Sequence, residues 1–220
     1  NKVFTTNCIA NISNVLGNAT GYIGISGGTG GSYMRQNISD LRIKPGTTTI
    51  SNMTYATTLI AASNTSSRVV VDFGQTGLVT TANGLTLQSG SAVTFGPIAG
   101  APTNMPFTVV VNRVSVGGAA QITVTTNGSG IGKLVFSRMV VDVTSCLTLV
   151  GAVDVPNNTL TVVTPNDFRR GTYLIADLTA ATGIDANTAF VVEGPDDATV
   201  FYRAGKLYLS RPNGSIVILR

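Results

Sequence analysis

The side chains best suited to chemistry in this sequence are a few aspartates. The chain holds ten acidic residues and no histidine, so the commonest general base and metal ligand is missing. Carboxylates can cleave glycosidic bonds when two of them converge on one groove. The candidates in the second half of the chain are Asp142, Asp154, Asp167, Asp177, Asp196 and Asp197.

Several of these aspartates also have a structural explanation. Asp167 in "TPNDF" and Asp196-Asp197 in "EGPDDAT" follow proline, where an aspartate side chain satisfies the backbone groups of a turn. The sequence has no Asp-X-Asp-X-Asp loop for calcium, and two cysteines without histidine cannot build a tetrahedral thiolate site. We therefore expect no enzyme activity, no cofactor and no metal site.

Cys8 and Cys146 are the two cysteines of the chain. In an exported protein they can form one disulfide that closes a long loop and stabilises the fold by a few kcal/mol. The alternative is that both thiols act as small buried apolar side chains. Sequence separation alone does not decide between these two arrangements.

Eight Asn-X-Ser/Thr triplets are candidate acceptors for N-linked glycans. In a cell that glycosylates exported proteins, several of them would be modified surface sites. In any other cell the same asparagines, serines and threonines serve as turn residues. The eight asparagines are Asn11, Asn18, Asn37, Asn52, Asn64, Asn127, Asn157 and Asn213.

Short β-strands are the elements that must position these residues. From Arg68 onward, runs such as "FTVVVNRVSV" and "TYLIADL" are rich in β-branched and aromatic residues and end at Gly, Asn, Pro or Asp. In "NNTLTVVTPNDFRRGTYLIAD", alternation directs Leu160, Val162, Tyr173 and Ile175 towards a core. Apolar-Thr-apolar triplets recur at separations near multiples of about 12 residues. They begin at Leu85, Ile122, Leu147 and Leu160.

Two all-β architectures fit these strands. One is a parallel β-solenoid, in which each coil holds two or three short strands, and the other is a β-sandwich or jelly roll. With no tryptophan and 6% aromatic residues, the chain lacks the large side chains of a typical sandwich core, which favours the solenoid. We expect a single domain over residues 1–220, with an irregular region or cap at 1–68 and a regular β-rich body at 69–220.

The carboxy-terminal half has a particular order of strands. In "LTLVGAVDVPNNTLTVVTPNDFRRGTYLIADLTAATGI", an apolar-Thr-apolar strand precedes a Gly-Thr-Tyr strand with small residues after it, and "VFYRAGKLYLS" then ends in Leu-X-Leu. In this respect residues 140–210 resemble the β-solenoid passenger regions of bacterial autotransporter-like surface proteins. The resemblance implies export and a surface-exposed scaffold or adhesive role.

Charge and hydropathy argue against two kinds of partner. The net charge of +4 comes from 14 basic and 10 acidic residues that are spread thinly, whereas a nucleic-acid-binding face clusters its Lys and Arg. No apolar run approaches the roughly 18 residues that span a bilayer. The first residue, Asn1, suits a processed, exported chain. We expect an extracellular or cell-surface protein without nucleic acid or a membrane span.

The apolar run Ile216, Val217, Ile218 and Leu219 is a candidate strand for self-association. It is either buried in its own sheet or added to a neighbour, which would make a polymerising subunit. We predict a non-enzymatic structural subunit or adhesive scaffold of a fibre, pilus-like filament or surface layer, with copies of itself and surface glycans as partners. The alternatives are a jelly-roll viral coat protein and a glycan-binding or carbohydrate-active β-helix module.

Overall fold

The residues that the structure describes form seventeen short strands, as expected for an all-β chain. They belong to one unit that spans residues 37–220. The one helical element in the described residues is a 3-10 turn at Pro156–Asn158, and no helix there is long and apolar enough to cross a bilayer. The computed structural model describes residues 41–43, 46–51, 54–72, 79–97 and 99–212.

The strands are short and follow one another closely along the chain. Most carry side chains that alternate between buried and partly exposed, as in the five-residue strand that begins at Phe107. In chain order the strands are β1 Leu41–Ile43, β2 Gly46–Ser51, β3 Thr54–Ala61, β4 Ser66–Asp72, β5 Val79–Leu87, β6 Ala92–Pro97, β7 Phe107–Val111, β8 Arg113–Val116, β9 Ala119–Val124, β10 Gly132–Val135, β11 Arg138–Val140, β12 Cys146–Asp154, β13 Thr159–Val163, β14 Gly171–Thr182, β15 Ala189–Glu193, β16 Thr199–Arg203 and β17 Lys206–Arg211.

Parallel pairing between successive coils confirms the β-solenoid. β5 pairs in parallel with β7 along its first half and with β8 along its second half, so a coil of two strands is followed by a coil of three. β7, β8 and β9 then pair in parallel with β10, β11 and β12. A sandwich or jelly roll requires antiparallel sheets packed face to face, so that alternative is wrong for the described residues.

The coil repeat is longer than the triplet spacing of about 12 residues. Arg113 pairs with Arg138, 25 residues later, whereas Leu85 pairs with Val114, 29 residues later. The triplet at Leu85 therefore does not lie beside the triplet at Ile122. Apolar-Thr-apolar triplets recur because they suit the inward and outward alternation of a strand, and their separation does not measure one coil.

Ladders of aliphatic side chains fill the interior. Side chains at equivalent positions of β3, β5, β8, β11, β13 and β15 are in-register partners. The first five are buried and the last is half-buried. Burial of each such side chain stabilises the fold by roughly 1.5–3 kcal/mol. This core ladder consists of Leu59, Leu85, Val114, Met139, Val162 and Val192.

Regular strands begin at Leu41, earlier than the predicted start at residue 69. "GTTTIS" in β2 and "TYATTLIA" in β3 are rich in Thr and Ile, whose branched side chains favour strands. The many polar residues in and around these two segments made their strand propensity hard to recognise in the sequence. Residues 1–40 lie outside the described residues, so the single domain and the cap stay predictions.

The last strand that the structure describes, β17, runs against the direction of the parallel stack. β17 pairs antiparallel with both β14 and β16, so these three strands form a small antiparallel sheet. Ala204 and Gly205 make the two-residue turn between β16 and β17 with φ angles of 51° and 76°. Two successive positive φ angles are typical of a type I′ turn, whose twist suits a hairpin. The hairpin therefore ends the parallel pairing on this side.

Candidate functional site

Two candidate aspartates, Asp142 in the corner before β12 and Asp177 within β14, each accept hydrogen bonds from a threonine two residues later. The Oδ1 atom of Asp142 accepts hydrogen bonds from the backbone N–H and the hydroxyl of Thr144, at 2.7 and 2.6 Å. The Oδ1 atom of Asp177 accepts the same two bonds from Thr179, at 3.1 and 2.7 Å. Both are Asx turns, in which the carboxylate takes the place of a backbone acceptor.

Two four-residue corners, Asp142–Ser145 and Asp185–Thr188, share one hydrogen-bond pattern. In each, the N–H of the first residue donates to the hydroxyl of the fourth, at 3.0 and 3.2 Å. The N–H of the fourth residue donates back to the carbonyl of the first, at 3.2 Å in both corners. The motif Asp-X-(Thr/Asn)-(Ser/Thr) carries this geometry. It is visible in the sequence, but sequence reasoning missed it.

Hydrogen bonds keep the carboxylates of Asp142 and Asp177 charged. Burial alone would raise the pKa of Asp142, but the hydrogen bonds from Thr144 and Ser145 together outweigh it and lower the pKa. The hydrogen bonds from Thr179, with a smaller contribution from nearby Lys206, lower the pKa of Asp177. A general acid for glycoside cleavage needs a raised pKa. Neither aspartate meets that requirement.

Two other candidate aspartates are held in ion pairs. Asp154 pairs with Lys133 at 3.3 Å, and Asp197 lies between Arg211 at 2.7 Å and Arg170 at 3.5 Å. Pairs this exposed each contribute little to stability. The described residues contain no group of three or more acidic or thiol side chains that could hold a metal ion.

A groove of about 430 Å³ crosses the outside of the stack where β5, β8, β11 and β13 end. Its wall is a row of in-register side chains, Thr86, Ser115, Val140 and Val163. The surface of the groove is mainly apolar, and Asp142 is the one acidic residue among the side chains that line it. Glycoside cleavage by two carboxylates requires a second acid across the groove, which this lining does not supply.

Cys146 carries a free, half-buried thiol at the start of β12. Burial raises the pKa of this thiol, and the carboxylate of Asp177 raises it further. The side chain is therefore a protonated thiol near neutral pH and a poor nucleophile. Cys8 lies outside the described residues, so the disulfide stays a prediction.

Three of the eight glycan acceptors fall within the described residues. Asn64 and Asn157 are exposed, with φ angles of 54° and 56°. The Nδ2 atom of Asn127 donates hydrogen bonds to the carbonyls of Pro102 and Met105, at 2.7 and 3.1 Å. A glycan on that nitrogen would disturb both bonds. The acceptors outside the described residues are Asn11, Asn18, Asn37, Asn52 and Asn213, and the self-association run at residues 216–219 lies outside them too.

No protein family, curated protein or solved structure matches this chain. Residues 140–210, which carry the resemblance to autotransporter-like passenger regions, fold into β12 to β17 and the corners between them. That resemblance stays a prediction, and the solenoid itself is what the structure shows.

Proposed function

We propose that this chain is a non-enzymatic structural subunit or adhesive scaffold of an extracellular fibre, pilus-like filament or surface layer. The observation that best supports this proposal is the core ladder, which runs without a break from Leu59 to Val192 through six strands. Because each coil packs on the next through such ladders, stiffness is distributed along the whole stack.

The acidic side chains support the same proposal. Asp142 closes a corner, Asp177 accepts hydrogen bonds from Thr179 within β14, and Asp154 and Asp197 pair with neighbouring cations. These four carboxylates thus have structural roles. The resemblance of residues 140–210 to surface proteins adds export and a surface location to the proposal.

Copies of the same chain are the proposed partners. β15 pairs with β13 and β16 pairs with β17, and no other described strand pairs with either of them. The outer edges of β15 and β16 therefore carry backbone N–H and C=O groups that can accept a further strand.

Electron microscopy of the negatively stained protein and sedimentation over a wide concentration range test the subunit proposal. We expect elongated assemblies that grow with protein concentration. Particles that remain strictly monomeric at the highest concentration would rule out the proposal that the chain is a structural subunit. Turnover of a polysaccharide that is abolished by Asp142→Asn would rule out the non-enzymatic assignment.

A glycan-binding module is the second candidate, and one observation favours it. The rings of Phe201 and Tyr208 stack with centroids 5.3 Å apart on the hairpin, and Phe201 is 39% exposed. Exposed aromatic pairs are uncommon on a surface that has no ligand, since each ring buries a large apolar area when it is covered.

A further inference from the structure

An apolar row lies on the outer face of the small antiparallel sheet formed by β14, β17 and β16. Leu174, Tyr208 and Phe201 are in-register neighbours across the three strands. The two rings are nearly parallel, with 15° between their planes. Leu207 and Leu209 flank Tyr208 in β17 and are fully buried, so Tyr208 points away from the core.

Hydroxyl groups line one side of this apolar row. Thr172, Ser210 and Thr199 are in register across the same three strands. The hydroxyls of Thr172 and Ser210 are 3.2 Å apart and share a hydrogen bond. A sugar against the exposed ring of Phe201 would lie next to these hydroxyls, which can donate and accept hydrogen bonds.

Charged side chains line the other side of the row. Asp177, Lys206 and Arg203 are in register there. Lys206 is 3.8 Å from the carboxylate of Asp177, so those two charges offset each other. Arg203 is exposed and forms no ion pair with any residue that the structure describes. The face therefore carries one cation in excess.

We propose that this face, the hairpin patch of Leu174, Tyr208, Phe201 and Arg203 with its hydroxyl row, binds an acidic polysaccharide. The ring of Phe201, which is 39% exposed, offers apolar surface to the C–H face of a sugar, and a guanidinium pairs with a carboxylate through two parallel hydrogen bonds. The excess positive charge selects an anionic partner over a neutral one. The proposal rests on the adhesive part of the proposed function and names the partner.

Binding of the full chain to polygalacturonate, measured by biolayer interferometry, tests the hairpin patch. Fully methyl-esterified polygalacturonate is the neutral reference, because it has the same backbone without the charge. We expect the wild type to prefer the acidic polymer and to lose that preference as salt is added. Phe201→Ala should weaken binding by about tenfold. Arg203→Gln should reduce the preference for the acidic polymer, and Arg203→Lys should restore part of it.

Val191→Ala is the matched control, because Val191 is an apolar β15 residue that is 47% exposed and lies outside the hairpin patch. It should leave binding within about twofold of the wild type, as expected for a surface substitution. Far-ultraviolet circular dichroism checks that every variant keeps its strands.

Three results would overturn the proposal. The first is equal binding of the acidic and esterified polymers by the wild type. The second is unchanged binding by both Phe201→Ala and Arg203→Gln. The third is a Phe201→Ala variant that loses self-assembly but not polysaccharide binding, which would make the patch a contact between copies. A strictly monomeric protein that binds the acidic polymer through the hairpin patch would disprove only the proposal that the chain is a structural subunit. Filaments that do not bind the acidic polymer would disprove only the proposal that the hairpin patch binds polysaccharide.

Discussion

Single hydroxyl groups hold adjacent coils together at their corners. The buried Oγ atom of Ser145 donates to the carbonyl of Val116 at 2.6 Å and accepts the N–H of Asp142 at 3.0 Å. One side chain thus satisfies a carbonyl in the preceding coil and an N–H in its own corner. A buried backbone group that loses its partner destabilises the fold by more than the same group in water.

Replacement of Ser145 should therefore destabilise the fold. We expect Ser145→Ala to lower the free energy of unfolding by about 1–3 kcal/mol, because it leaves the carbonyl of Val116 and the N–H of Asp142 without this hydroxyl. Denaturation in guanidinium chloride measures the change. Ser129→Ala removes an exposed hydroxyl and serves as the control, with an expected change within about 0.5 kcal/mol. Equal losses for both variants would contradict the role of Ser145.

The hydrogen-bonded carboxylates of Asp142 and Asp177 make the stability of the fold depend on acid pH. In the folded chain, the pKa values of Asp142 and Asp177 lie below the ordinary aspartate value of 3.8. Both carboxylates therefore add stability above their ordinary pKa, and this contribution is lost as the pH falls through the lowered values. Thermal unfolding between pH 7 and strongly acidic buffer should show a falling midpoint below about pH 4. Asp142→Asn should flatten that dependence, and an identical pH profile for this variant would count against the corner assignment.

Each strand packs into the stack through one row of side chains that points inward. Along β11, Met139 is buried in the core ladder, whereas its neighbour Val140 belongs to the wall of the outer groove. The two side chains are adjacent in sequence and lie on opposite faces. Packing therefore differs sharply between residues of similar apolar character.

Truncation on the two faces of β11 should have unequal effects. Met139→Ala leaves a cavity between Val114 and Val162 and should lower the free energy of unfolding by about 2–5 kcal/mol. Val140→Ala removes a half-buried side chain from the outer face and should cost less than about 1 kcal/mol. Urea denaturation of the two variants distinguishes the faces. A larger loss for Val140→Ala would show that the register is wrong.

The hairpin turn carries a residue that suits its backbone poorly. Ala204 has a φ angle of 51°, which alanine rarely adopts and asparagine tolerates, and Asn-Gly is the preferred pair for such a turn. Ala204→Asn should therefore raise the free energy of unfolding by about 0.5–1 kcal/mol, visible as a higher melting temperature. Ala186 lies exposed in another corner, and Ala186→Asn is the control that should give no such gain. A lower melting temperature for Ala204→Asn would contradict the turn geometry.

The whole stack behaves as a linear array in which each coil contacts its neighbours. β11 has parallel partners on both edges, β8 and β13, whereas β15 and β16 each have one partner among the described strands. Stability in such arrays is close to a sum of coil and interface contributions, so the strands with one partner should open most easily.

Hydrogen exchange followed by mass spectrometry can measure this gradient. We expect amides of β8, β11 and β13 to exchange more slowly than those of β15 and β16. If the assembly forms by strand addition, β15 or β16 should gain protection as protein concentration rises. Uniform protection along the chain would contradict the linear array.

The alternation of polar and apolar side chains predicts the all-β fold and which side chains point inward. It does not predict the register in which strands of neighbouring coils pair. Leu160, Val162 and Ile175 are buried, as their spacing indicates. Coil length depends on how many residues each corner takes, and 25 residues separate Arg113 from Arg138 where a neighbouring coil takes 29. The spacing of the apolar-Thr-apolar triplets depends on the strands and does not give the number of residues in each corner.

The candidate surface features depend on this register. Phe201 and Tyr208 meet because a two-residue turn places them opposite each other, and the groove wall forms because Thr86, Ser115 and Val140 stack from separate coils. Sequence reasoning identified Asp167, Asp196 and Asp197 as turn residues from the prolines before them, and all three lie in turns. The proximity of distant side chains could not be predicted from patterns within single strands.

The parallel register also has a consequence for how such a chain can change during evolution. Since Leu85, Val114, Met139 and Val162 offer nearly interchangeable contacts, a duplicated or deleted segment of one full coil leaves compatible faces on either side. Each event would lengthen or shorten the molecule by about 4.8 Å, the spacing between neighbouring strands. Gene variants should therefore differ by whole coils within the parallel stack, while the hairpin of β16 and β17 keeps its sequence.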